Sequence, residues 1–189
     1  PGTAATREAV RAYIARLAPD TGHGPDTVYS DLGYILLGWH LEVVTGKSLP
    51  QLGEGRYGPL SAPVDLHPFV PTGWCAGRDR ALRGEVNDLN CWVLGGACGH
   101  AGVFATLDEV ARWAASQARA YADLGSEWDS GVVREFWDKA NQAPGATWVL
   151  GWDTPSATGS SAGTRVSPSA VGHLGFTGTS VWLDLDQGL

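Results

Sequence analysis

Tyr29 is the first residue whose position could support chemistry. In the run Val28-Tyr29-Ser30-Asp31-Leu32 it stands just ahead of an apolar pattern with helical spacing. A helix start offers free backbone N–H groups and the positive end of the peptide dipole, and both stabilise an anion such as a phenolate. A tyrosine so placed can serve as a general base; packing beneath the helix is the plainer reading of the same spacing. A second group is His173 and Gly175, in the run Val171-Gly172-His173-Leu174-Gly175-Phe176. An imidazole titrates near neutrality. The glycine lets a ligand backbone approach, and the N–H that follows can point at a carbonyl oxygen. The alternative is an edge-strand histidine beside a glycine that relieves crowding.

Other chemistries find less support. Gly159-Ser160-Ser161-Ala162-Gly163 matches the Gly-x-Ser-x-Gly nucleophile elbow, which requires a strand before it and a helix after it. Its flanks, Pro155–Thr158 and Thr164–Ser169, read as loop, so the match is fortuitous. Five histidines are present without His-Glu-x-x-His or paired Cys-x-x-Cys spacing, so neither a metal nor a cofactor is expected. Cys98 and His100 are two residues apart, a spacing that rarely presents side chains to each other. The three cysteines, Cys75, Cys91 and Cys98, read as small core residues rather than staples. A net charge of −7, with 13 scattered Lys and Arg residues, leaves no basic footprint for nucleic acid. The longest apolar run, Ile35 to Trp39, is broken by Gly38 and falls far short of the roughly 20 residues of a membrane span.

The elements that must position these residues follow from pattern. Thr6 is expected to cap a helix with Val10, Tyr13, Ile14 and Leu17 inward, ended by Pro19. After the turn-rich Asp20–Thr27, a second helix starts near Asp31, with Leu32, Ile35, Leu36, Trp39 and Val43 on one face and Gly46 as C-cap. Leu49 to Gly99 reads as a long irregular segment held on the core by Trp74 and Trp92. Thr106-Leu107-Asp108-Glu109 is a capping-box pattern that opens a helix with Leu107, Val110, Ala111 and Ala114 inward. Strands are expected at 147–154 and 171–176, the latter joined by a glycine-containing turn to Ser180–Asp186 as an antiparallel pair.

Taken in order, the blocks YSDLGYILLGWHLEVVTGKSL, RGEVNDLNCWVLGGACGHAGVFATLDEVARW, LGWDTPSATGSSAG and GHLGFTGTSVWLDLD resemble the β-lactamase-related serine hydrolases, which include class C β-lactamases, D-alanyl-D-alanine carboxypeptidases and esterases. The resemblance implies an α+β fold, an antiparallel sheet flanked by helices beside a helical and irregular region, with residues 1–189 forming a single partial domain. It implies acyl transfer through an acyl-serine on a small ester, amide or β-lactam substrate, without a cofactor. That family draws its nucleophile from a Ser-x-x-Lys box. The lysines here are Lys47 and Lys139, and no serine lies three positions before either. The box is therefore expected outside this sequence, and the segment alone is expected to be inactive and poorly stable.

The family's second box, Tyr-x-Asn, corresponds to Tyr29-Ser30-Asp31, which implies that Tyr29 is the base toward the serine and the acid toward the leaving group. Asp31 replaces asparagine, and an ionised carboxylate accepts hydrogen bonds but cannot donate one. The third box, usually Lys-Thr-Gly, corresponds to His173-Leu174-Gly175, with Leu174 lacking the hydroxyl. The resemblance implies a substrate-lining role for Asp31, His173, Leu174 and Gly175, and makes the Phe176 N–H one donor of an oxyanion hole. His100, in the turn Gly95–Gly102, is expected to be satisfied locally. A binding or regulatory module without the serine box is the alternative, which Asp31 and Leu174 favour.

Overall fold

The computed structural model describes residues 2–17, 27–54 and 69–188. Pro19, most of the Asp20–Thr27 turn and residues 55–68 of the irregular segment lie outside the described residues. Helices and short antiparallel strand pairs make up the structure, as an α+β chain requires. The described chain divides into two compact units, one of residues 2–17, 29–54 and 69–110, the other of 27–28 and 111–188.

In the first unit, helix α1 (Ala4–Ile14) is capped by Thr3, whose hydroxyl accepts from the Thr6 N–H at 3.1 Å. Thr3 rather than Thr6 is the cap because its backbone is extended (φ −74°, ψ 154°), while Thr6 is already inside the first turn and supplies an orphan donor. Helix α2 (Asp31–Thr45) has Ser30 as N-cap and ends at Gly46 in the left-handed region at φ 66°. Its inward residues are Ile35 and Gly38, whereas Leu32, Leu36 and Val43 are exposed. The reason is a close approach of backbones. A Cβ on Gly38 would sit 3.2 Å from the Gly99 nitrogen, and a Cβ on Gly99 would collide with the Tyr34 carbonyl oxygen. Ile35 joins Ile14 and Leu94 in a small core, with Val10, Trp39 and Cys98 packed around it. Glu42, on α2, accepts from Arg11 at 2.8 Å, from Arg7 at 3.2 Å and from the N–H of Leu49, the first residue of α3 (Leu49–Gly53), at 3.1 Å. One carboxylate thus ties three helices together.

The described part of the irregular segment holds more structure than its sequence predicts. Strands β1 (Gly73–Cys75) and β2 (Arg80–Leu82) pair antiparallel, and a short helix α4 (Leu89–Val93) follows. Trp74 is 67% exposed and does not anchor the segment. Arg78 does so instead. Its side chain is 2% exposed and donates to the Val86 carbonyl at 2.8 Å, the Asn87 carbonyl at 2.5 Å and Glu85 at 3.3 Å, with its guanidinium 5.0 Å from the Trp92 ring centroid. Non-ladder carbonyls need donors when buried, and the guanidinium fork supplies several from one side chain.

Helix α5 (Leu107–Tyr121) opens with the predicted capping box: Thr106 N–H donates to Glu109 Oε2 at 2.7 Å and Glu109 N–H to Thr106 Oγ1 at 3.2 Å. Its buried positions, however, are Gln117 and Ala120, and Leu107 is 84% exposed. In the second unit the core comprises Ala120, Val133, Trp137, Val171 and Leu183, so its partners lie along the C-terminal half of α5. Helix α6 (Ser130–Trp137) supplies Val133 and Trp137, and Trp137 meets Trp152 edge-on at 5.8 Å.

Residues 147–154 are not a strand. Thr154 N–H returns to the Thr147 carbonyl at 3.0 Å, Gly151 has φ 80°, and a single bridge joins Asp153 to Gly172. A positive φ at Gly151 reverses the chain before a ladder can form. Strands β3 (Val171–Leu174) and β4 (Ser180–Leu183) pair antiparallel as predicted, with His173 opposite Val181. Residues 159–163 lie in irregular chain, without the strand and helix an elbow needs. Among the described residues no helix is long and apolar enough to cross a membrane.

Candidate active site

The two halves of the predicted site fall in different units, Tyr29 and Asp31 in the first and His173 to Phe176 in the second. Tyr29 is 65% exposed and one residue ahead of the α2 N-cap. The Ser30 hydroxyl takes the capping role, accepting from Leu32 N–H at 3.2 Å. A second tyrosine, Tyr34, lies on α2. Burial, and after it the neighbouring Tyr29, push the Tyr34 phenol above its ordinary value, so Tyr34 stays protonated at neutral pH.

Asp31 is the first residue of α2 and is half-buried. Its carboxylate, that of Asp88 and the ring of His100 bring one ligand atom each within 4.8 Å of one another. Asp88 caps α4, accepting from Cys91 N–H at 2.6 Å, and the same oxygen lies 2.8 Å from His100 Nε2. An ionised carboxylate only accepts, so Nε2 is the nitrogen that donates to it. The His100 side chain is 5% exposed, and its Nδ1 has no hydrogen-bond partner among the described residues. His100 therefore has the local partner expected of it on one side of the ring only. Two carboxylates and one imidazole at this spacing are a donor set that a divalent cation could use. Sequence reasoning passed over Asp88. Its signal was the capping position before Leu89-Asn90-Cys91, but nothing local links it to His100.

In the second unit, His173 is half-buried on β3 with its ring edge-on to Trp148, centroids 5.3 Å apart. Nδ1 lies 2.7 Å from the Leu174 carbonyl oxygen. A carbonyl accepts, so Nδ1 is the protonated nitrogen and Nε2 carries the lone pair of the neutral ring. Beyond β3 the chain turns through Gly175–Thr179, held by Gly175 N–H to the Thr179 carbonyl at 2.7 Å and Gly178 N–H to the Gly175 carbonyl at 2.9 Å. A Cβ on Gly175 would collide with Thr179 Oγ1, so a larger residue would have to displace that hydroxyl. Leu174 is exposed and Phe176, at the turn, is 97% exposed.

Asp184 is the site's hidden support. Strand alternation places it outward, yet it is 2% exposed, because it closes the chain that leads into β3. It accepts from Ser167 N–H at 2.6 Å and from Gln187 Nε2 at 2.8 Å. The Ser167 N–H, more than any other contact, holds its carboxyl below the usual carboxylate range. A carboxyl depressed on folding contributes stability that is complete above its unfolded value, near 3.9, and is lost as pH falls through the lower folded value. Asp184→Asn in the full-length protein is therefore expected to flatten the acid limb of stability against pH below about pH 4. Urea midpoints measured from pH 2 to pH 7 check this; an unchanged acid limb assigns the acid sensitivity elsewhere.

The family model described as Beta-lactamase matches residues 1–189. The chain belongs to the Beta-lactamase family. Within that family, N-acetylmuramyl-L-alanine amidase of Bacillus subtilis (strain 168) is 29% identical over 209 residues, covering 94% of this chain and 46% of the relative. A putative D-alanyl-D-alanine carboxypeptidase of Escherichia coli (strain K12) is 29% identical over 207 residues, covering 95% and 46%. Its counterpart in Salmonella gallinarum (strain 287/91 / NCTC 13346) is 27% identical over 206 residues, covering 95% and 46%. The chain thus spans about half the length of these curated relatives. No solved structure matches it. Family membership accounts for the order of the four sequence blocks and for the mixed helix and strand architecture.

Proposed function

We propose that the complete protein is a serine hydrolase that cleaves a carboxylic ester or amide through an acyl-serine intermediate. Residues 1–189 form a single partial domain of it, and the Ser-x-x-Lys nucleophile box lies in sequence outside them. The observation that supports this reading is Tyr29, which the resemblance assigns to the second box and which stands one residue ahead of the α2 N-cap. In this scheme Tyr29 takes the serine proton as the serine oxygen bonds to the substrate carbonyl carbon. It then gives that proton to the departing oxygen or nitrogen as the bond to the leaving group breaks. Water repeats the sequence on the acyl-serine and releases the acid. The Phe176 N–H and the serine's own N–H stabilise the oxyanion, and Gly175 keeps the approach open. His173 and Leu174 are assigned to substrate binding, and so is Asp31.

Ester cleavage is favoured over β-lactam cleavage because Asp31 cannot donate to an acylamide carbonyl and Leu174 has no hydroxyl. The names of the relatives, an amidase and carboxypeptidases, make a D-alanyl peptide the second substrate to try. The same two residues favour the alternative, a penicillin-recognising module that binds without turnover. The test is to mix the full-length protein with a p-nitrophenyl ester and follow both p-nitrophenol and intact mass. A burst of p-nitrophenol with an acyl adduct on one serine is expected. Absence of both, with the ester, a D-alanyl-D-alanine peptide and a β-lactam alike, moves the assignment to the binding module.

A further inference from the structure

Cys91 and Cys98 are separated by a turn that brings them back together. Gly95 and Gly96 both have positive φ, 106° and 91°, and Gly96 N–H donates to the Cys91 carbonyl at 2.8 Å. Both cysteines then converge on one oxygen atom: the Ala101 carbonyl accepts from the Cys91 thiol at 3.2 Å and from the Cys98 N–H at 3.0 Å. An isolated antiparallel bridge between Cys98 and Ala101 fixes this approach. The shared oxygen holds the Cys91 sulfur and the Cys98 backbone nitrogen on the same atom, so the two side chains start from neighbouring positions.

We propose that Cys91 and Cys98 form a reversible disulfide by exchange with a small-molecule or protein disulfide. The two thiols differ in the way such an exchange needs. Cys98 is partly exposed, and Cys91 is completely buried. Cys98, the accessible thiol of the pair, is the one that attacks, as its thiolate. It bonds to one sulfur of the oxidant disulfide and expels the other as a thiolate. Cys91 then gives up its proton, attacks the Cys98 sulfur and releases the second thiolate. The protein loses two electrons and two protons, and the oxidant disulfide becomes two thiols. The bond would cross-link the end of the glycine turn to α4, immediately before Gly99, which abuts α2, and His100, which holds Asp88. Oxidation would therefore tighten the group of side chains around Asp31, whether or not the protein is a hydrolase.

The experiment equilibrates full-length protein with oxidised glutathione, then denatures, alkylates and digests it with trypsin. The peptide 84–112, which holds both cysteines, is expected to emerge lighter by two hydrogens and without alkyl groups, and a reductant restores both alkylation sites. Alkylation at Cys98 should fall by roughly tenfold or more relative to the reduced sample. Cys98→Ala is expected to leave Cys91 alkylatable under the same conditions. Cys75→Ser serves as a folded control with the pair intact and should behave as wild type. Alkylation of both Cys91 and Cys98 in the oxidised wild type, or a glutathione adduct that persists on Cys98 beside an alkylated Cys91, overturns the proposal.

Discussion

Replacing Tyr29 by phenylalanine in the full-length protein is expected to lower kcat/KM for p-nitrophenyl ester hydrolysis by roughly 10²–10⁴-fold, the range lost when a positioned proton carrier is removed. The substitution deletes one oxygen and keeps the ring. Tyr29 is 65% exposed, so packing changes little and the thermal midpoint should hold. The loss should fall on acylation and on deacylation alike, because the same phenol handles the proton in both. Steady-state rates and the size of the p-nitrophenol burst separate the two steps. A loss smaller than tenfold at unchanged stability would assign Tyr29 to packing and move the base elsewhere. Tyr34, whose phenol burial pushes above its ordinary value, ionises less readily than a free tyrosine.

The largest expected effect on stability is at Arg78. Arg78→Ala should lower the free energy of unfolding of the full-length protein by about 4 kcal/mol, the scale observed when one partner of a buried charged network is removed. The guanidinium is almost wholly buried, and its loss strands the Val86 and Asn87 carbonyls, leaves Glu85 with Arg80 alone, and bares the face of Trp92. Arg78→Lys should recover less than half of this, since an ammonium cannot reach two carbonyls and a carboxylate in one plane. Asp88 follows Asn87 directly, so the His100–Asp88 contact should loosen with the loop. Urea unfolding gives the first quantity, and the His100 ring shift followed by NMR gives the second. A cost under about 1 kcal/mol would place Arg78 among ordinary surface pairs.

The sequence was most informative where a signal is local. Ser30 and Gly46 delimit α2, and Thr106 and Glu109 open α5, because a cap satisfies backbone groups three or four residues away and needs no distant partner. The antiparallel β3–β4 pair was legible for the same reason, two extended runs joined by a glycine-containing turn. Tyr29 and the His173–Phe176 run are candidates by their local position and by the motif order of the resemblance. Where a reading depended on what packs against an element, it failed. Leu107 has the right spacing for a buried position, but the core of its unit lies along the other end of α5. Residues 147–154 have strand composition, yet Gly151 folds them back on themselves.

By itself, then, the sequence determined the boundaries of α2, the start of α5, the hairpin and the family blocks, since these depend on short-range hydrogen bonding and on residue types in order. Tertiary structure alone decided the contacts that give the molecule its less visible chemistry. Arg78 reaches carbonyls eight and nine residues away, Asp88 meets His100 across a turn, and Asp184 closes on Ser167 from the far strand. Cys91 and Cys98 converge on the Ala101 carbonyl because Gly95 and Gly96 reverse the chain between them. Each is a buried polar or thiol group that must find a partner once water is removed. Which partner it finds is set by where the folded backbone has brought the nearest one, a quantity that no local pattern carries.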